Sequence, residues 1–158
     1  MGLLIGPTPW WQSTIFSSCP VGTTLPDGSK LICKAGGTAW IVAPASTQVS
    51  SVWVNGGGTG LVGNKPLLCS WPCLNTRMIN CGFNPSDWFV PSCAQLQNPG
   101  YVCRTQWDPC STYYWSSTEN NTSDAYLVSF TTGAVCAGFN WKEQSICLCV
   151  RAFRCVTY

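Results

Sequence analysis

Residues 145–156 read Ser-Ile-Cys-Leu-Cys-Val-Arg-Ala-Phe-Arg-Cys-Val, and this stretch decides the fold class. Successive side chains on a β-strand point to opposite faces. Cys147, Cys149, Arg151, Phe153 and Cys155 therefore share one face, and Leu148, Val150, Ala152, Arg154 and Val156 share the other. Cys147 and Cys149 must then find separate partners. Immediately upstream, residues 125–130 alternate, Thr131-Thr132-Gly133 turns, and residues 134–140 return. The last third thus predicts an antiparallel meander with 145–156 as its third and longest strand.

Working toward the N-terminus, two helix signals precede the meander. Ser92-Cys93-Ala94-Gln95 is a capping box placed just after Pro91, and Asn98-Pro99-Gly100 stops what it starts. An earlier helix runs from a cap at Ser70 to about Asn80, closed by Cys81-Gly82. Farther back, Pro26-Asp27-Gly28 marks a turn, and strands at 31–33 and 38–43 flank Gly36-Gly37 as a hairpin. Residues 51–55 form a short strand with Val52 and Val54 opposite Trp53, followed by a glycine-rich loop over 56–63. Residues 1–18 lack either periodicity and read as an apolar, proline-interrupted arm, leaving 19–158 as one domain. The fold class expected is α+β: two short helices packed on antiparallel sheets.

Composition narrows the function. The 158 residues are 46% apolar but only 9% charged, with net charge +2. An average soluble chain is about a quarter charged, so the surface here is built from Ser, Thr, Asn, Gln and Gly. Four Lys and four Arg against four Asp and two Glu give no basic stripe for nucleic acid and no positive patch for a membrane surface. No apolar run approaches the ~20 residues of a spanning helix. Histidine is absent, which removes the commonest general base and the Ser-His and Cys-His nucleophile pairs. Neither catalytic residues nor a cofactor can be assigned. The acids Asp87, Asp108, Glu119, Asp124 and Glu143 show no spacing that would identify a glycosidase pair.

Twelve cysteines stand at 19, 33, 69, 73, 81, 93, 103, 110, 136, 147, 149 and 155, an even count without a C-x-x-C pair. With no histidine either, zinc and redox motifs lose to structural disulfides, and all twelve (Cys19, Cys33, Cys69, Cys73, Cys81, Cys93, Cys103, Cys110, Cys136, Cys147, Cys149 and Cys155) are expected to be bridged. Such a framework matures in an oxidising place. The N-terminus, Met-Gly-Leu-Leu-Ile-Gly-Pro, carries no basic n-region of a signal peptide. A cytosolic product oxidised after cell lysis resolves the conflict, and so does a secreted protein whose signal has been removed.

Two literal motif matches fail on context. Gly58-Thr59-Gly60-Leu61-Val62-Gly63 fits G-x-G-x-x-G, but the dinucleotide fingerprint must open a helix, and Pro66 follows too closely. Gly58 and Gly63 have P-loop spacing, yet Asn64-Lys65-Pro66 replaces the required G-K-[ST]. Asn120-Asn121-Thr122-Ser123 holds two overlapping N-x-[ST] sequons, which matter only in a eukaryotic secretory protein.

Four segments carry a resemblance. Residues 84–92 (Asn-Pro-Ser-Asp-Trp-Phe-Val-Pro-Ser), Tyr114-Trp115-Ser116-Ser117-Thr118-Glu119, Asp124-Ala125-Tyr126 with Phe130-Thr131-Thr132-Gly133, and Val150-Arg151-Ala152-Phe153-Arg154-Cys155 resemble, in order and spacing, the signature of the Lcl C-terminal domain family. Gly36-Gly37-Thr38-Ala39-Trp40-Ile41-Val42-Ala43-Pro44 is similar to that family's opening hairpin, so the likeness spans about residues 20–158. It implies a C-type-lectin-like fold, found in terminal modules of bacterial surface adhesins and in tailed-phage virion proteins. The chain departs from the family in its cysteine load and in Cys93-Ala94-Gln95-Leu96-Gln97, where members carry a charged helix. It also lacks the Glu-Pro-Asn, Gln-Pro-Asp and Trp-Asn-Asp motifs of calcium-dependent lectins. No calcium site or other metal site is therefore expected.

The expected function is a non-enzymatic virion structural protein, either a tail-fibre or baseplate adhesin or a capsid decoration protein; a bacterial secreted or surface adhesin module is the alternative. Partners would be other virion proteins or copies of itself, docked through Trp10 and Trp11 of the arm, and a host glycan or receptor. Ligand contacts are sought at Glu119, Asn120, Asn121, Asp124 and Trp141, where two loops flank the meander. Trp88 and Trp115 are expected in the core, and Arg151 or Arg154 is expected to pair with Asp87 or Glu119.

Overall fold

The computed structural model describes residues 16–54, 60–136, 142 and 147–158. The fold is mixed α+β with two sheets. Strands β1 (Lys30–Ala35), β2 (Thr38–Val42) and β8 (Phe153–Thr157) form the first, in that order. Strands β3 (Val49–Ser51), β4 (Tyr113–Glu119), β5 (Ala125–Ser129), β6 (Val135–Cys136) and β7 (Leu148–Val150) form the second, in the order β3-β7-β4-β5-β6.

The expected hairpin is present: β1 and β2 pair antiparallel across Gly36-Gly37, both at positive φ, the conformation a two-residue hairpin turn requires. The short strand expected at 51–55 ends instead at Ser51, and Trp53 lies just past it, fully buried. The meander is corrected. Strands β5 and β6 form a hairpin around Thr131-Thr132-Gly133, but the third strand does not join them. It is two strands, β7 and β8, divided at Arg151-Ala152 and placed in different sheets, with β7 inserted between β3 and β4 and parallel to β4. Alternation nonetheless survives the break. Leu148, Val150, Ala152 and Val156 pack on one hydrophobic cluster, whereas Cys149, Phe153 and Cys155 pack on the other.

Both sheets are thus covered on both faces. Helix α1 (Pro72–Asn80) covers the larger cluster with Leu74 and Met78, which lie one turn apart on the same side. Its first residue is Pro72, where a missing N–H costs nothing, and Trp71 rather than Ser70 precedes it as cap. Phe16, assigned by sequence to the arm, is buried in this same cluster. Helix α2 (Cys93–Gln95) opens with the expected capping box: Gln95 N–H donates to Ser92 Oγ and Ser92 N–H to Gln95 Oε1. It stops as expected, since Asn98 has non-helical φ and ψ. The chain that follows places Leu96 and Trp107 on the smaller cluster, against Tyr114, Val128 and Phe153. Trp88 and Trp115 are core residues, 2% and 1% exposed.

The disulfide framework is not found. The eleven cysteines with described side chains, all but Cys136, are thiols; five are exposed and Cys155 is buried. Geometry excludes one tempting pair. Cys33 and Cys155 both neighbour Trp40 from opposite sides, so two strand spacings, about 9.5 Å, separate them, beyond disulfide reach.

Candidate functional site

Strand β4 ends at Glu119 after a register shift against β5, and the connection to Ala125 folds on itself. Asn121 Oδ1 accepts from the N–H groups of Ser123 and Asp124, both at 2.8 Å, and Asn121 Nδ2 donates to Asp124 Oδ2 at 3.0 Å. These bonds make an Asx turn, the usual use of Asn in a tight connection. Asp124 is buried, and its Oδ1 has no hydrogen-bond partner among the described residues.

Glu119 reaches out of this turn to a second loop. Its Oε2 accepts from Val62 N–H at 2.8 Å and its Oε1 from Gly63 N–H at 3.1 Å, while Glu119 N–H donates to Asn64 Oδ1 at 2.9 Å. Gly60 N–H donates to Thr122 O at 2.9 Å, which closes the same loop from its other end. Residues 61–66 form no helix, in keeping with the rejected nucleotide motifs.

A buried cation ties both loops together. Lys142 Nζ donates to Glu119 Oε2 at 2.7 Å and to Asn121 O at 2.6 Å, with Gly60 O at 3.3 Å; its side chain is 0% exposed. Ionic burial is tolerable only with such a full set of partners. Burial pushes the Glu119 carboxyl upward, but the Lys142 ammonium and the Val62 and Gly63 N–H groups outweigh it, holding it below the usual carboxylate range.

Trp53 forms the floor. Its indole N–H donates to Ser116 O at 2.8 Å, Lys142 Nζ stands 5.0 Å from its ring centroid, and Lys65 Nζ stands 4.8 Å away. Lys65 also lies 4.4 Å from the Trp71 ring and donates to Trp53 O. Half-burial, reinforced by the Lys142 charge, lowers the Lys65 pKa to about 8. Beside it opens a cavity of about 250 Å³ lined by Val54, Val62, Lys65, Ser70 and Pro72.

A second polar centre lies in the smaller cluster. Arg151, 2% exposed, donates through Nε to Ala43 O at 2.9 Å and stacks over Trp107 at 5.1 Å. Tyr114 OH donates to Gln48 Oε1 at 2.6 Å and accepts from Cys110 N–H at 3.1 Å. The expected arginine–carboxylate fork is absent: the ion pair among the described residues is Lys142–Glu119, and Arg154 instead stands over Trp88. Arg151 satisfies its guanidinium with backbone and amide oxygens, and among the described residues no carboxylate lies at bonding distance from it.

Of the sequence-selected ligand residues, Glu119, Asn121 and Asp124 come together, Asn120 is exposed beside them, and Trp141 lies outside the described residues. So do Trp10 and Trp11. Sequence reasoning missed Lys65, Lys142 and Trp53. The available signal was the second loop flanking the meander, from which Trp141 was singled out and the adjacent Lys142 was not. Among the described residues no group of three or more cysteines and carboxylates could hold a metal, and no helix is long and apolar enough to cross a membrane. Compared with known proteins, the chain matches no family model, and no curated protein is significantly similar to it.

Proposed function

We propose that the chain is a non-enzymatic structural protein of a tailed-phage virion, a tail-fibre or baseplate adhesin or a capsid decoration protein, exposing a C-type-lectin-like domain. The observation that carries this reading is how the polar groups are spent. Glu119 and Lys142, the charges best placed for chemistry, are consumed by each other and by loop backbone. What faces solvent nearby is uncharged, with Leu61, Val62 and Leu67 exposed on one segment beside the polar Asn64, Asn120 and Thr122. A surface so poor in charge suits close packing against other proteins in an assembly.

The family resemblance supports the lectin-like part. Its quoted signature residues Trp88, Tyr114, Trp115 and Phe153 are all core residues, as a fold signature would be. The cysteine load supports oxidation to disulfides once particles leave the reducing cytosol. It equally favours the alternative, a bacterial secreted or surface adhesin module, for which a signal peptide in the full gene is the discriminating feature. Removing the coding sequence from the phage genome tests the proposal. Particles lacking an attachment or decoration component, restored by supplying the chain in trans, are expected. Particles of unchanged composition and infectivity would overturn it.

A further inference from the structure

Cys33 sits in β1 opposite Trp40, with its side chain on the smaller cluster. Cys103 packs on that same cluster from the turn at Arg104–Gln106, which lies against β1. Both backbones are fixed. Cys103 N–H donates to Pro99 O at 2.8 Å and Gln106 N–H to Cys103 O at 2.9 Å, while Gly22 N–H donates to Leu31 O at 2.7 Å. Gln106 in turn packs against Gly22 so closely that a Cβ there would meet its Oε1 at 2.6 Å. The turn is thereby held over the start of β1, with Cys33 and Cys103 packed on the same cluster.

We propose that Cys33 and Cys103 form a disulfide that fastens β1 to the turn at Arg104–Gln106. Closure joins Sγ to Sγ as each thiol loses a proton and one electron. A small-molecule disulfide such as glutathione disulfide takes both electrons and both protons and leaves as two thiols. Burial, together with the neighbouring Cys33, pushes the Cys103 thiol up to about 11. Little thiolate is present at neutral pH, so the bridge closes slowly. The inference rests on the oxidised state proposed above.

Incubating the folded chain in a glutathione redox buffer, blocking residual thiols with iodoacetamide and digesting with trypsin without reduction tests it. Cleavage after Lys30 and Lys34 isolates Cys33 in Leu31-Ile32-Cys33-Lys34, and cleavage after Arg77 and Arg104 releases residues 78–104. Mass spectrometry should find these two peptides joined through Cys103. Cys33 joined to another cysteine, or both residues blocked while other bridges form, overturns the pairing and leaves the oxidised state standing. All cysteines blocked overturns both.

Discussion

Glu119 and Lys142 meet at 2.7 Å in an ion pair that joins three separate stretches of chain, the 60–65 loop, the turn after β4 and the position of Lys142 itself. Neither side chain is spare. Removing one partner of such a buried pair leaves an uncompensated charge, so Lys142→Ala and Glu119→Gln should each lower stability by about 3 kcal/mol, measured by urea unfolding. The double variant should recover part of that loss. Additive losses would show that the pair contributes no coupling.

The pH dependence follows from the same pair. A carboxyl whose folded pKa is depressed contributes stability above its unfolded value, about 4.3, and loses it as pH falls through the folded value. Glu119→Gln should therefore show a shallower stability loss below pH 4 than the parent chain. Parallel acid profiles would contradict this.

Lys65 carries the opposite signature. With a folded pKa of about 8 against 10.5, the unfolded state binds more protons between those values, and stability rises with pH across that window. Its neutral fraction near pH 7.5 exceeds that of an ordinary lysine by on the order of a hundredfold. Brief reductive methylation with formaldehyde should accordingly label Lys65 before the more exposed Lys34, read by peptide mass spectrometry. Equal or later labelling would refute the lowered pKa.

Gly133 turns the β5–β6 hairpin at φ +77, and a Cβ there would lie 2.5 Å from the Tyr101 ring. Both the backbone strain and the clash oppose a side chain. Gly133→Ala should cost more than 1 kcal/mol by thermal or urea unfolding, whereas Gly36→Ala, with open space around it, should cost less.

The elements with local signals were legible in the sequence. The Ser92–Gln95 capping box, the Gly36-Gly37 hairpin and Trp88 and Trp115 in the core all follow from adjacent residues or from size and hydrophobicity. The division of 145–156 was not, because alternation persists across the Arg151-Ala152 bend and carries no trace of which neighbour a strand pairs with. The parallel β4–β7 contact is likewise a non-local choice. In the candidate site Glu119 was found because it opens a polar loop flanking the meander, while Lys142 and Lys65 were missed because a lone lysine in a loop reads as solvated. Only the indole of Trp53 and the carbonyls around it reveal why they are buried.

The arm bears on assembly. Residues 1–18 carry Trp10 and Trp11 beside Leu3, Leu4 and Ile5, and of this stretch Phe16 is buried in the larger cluster. Deleting residues 2–12 should leave a folded domain with a melting temperature close to the parent's that no longer enters particles. A truncated chain that assembles normally, or one that cannot fold, would contradict docking through the two tryptophans.

Density-gradient sedimentation of an infected lysate, probed for this chain, tests the central claim most directly. The chain should band with DNA-filled particles, survive a high-salt wash and be present in a fixed number of copies per particle. Recovery at the top of the gradient or in the envelope of uninfected cells would contradict the assignment to a virion.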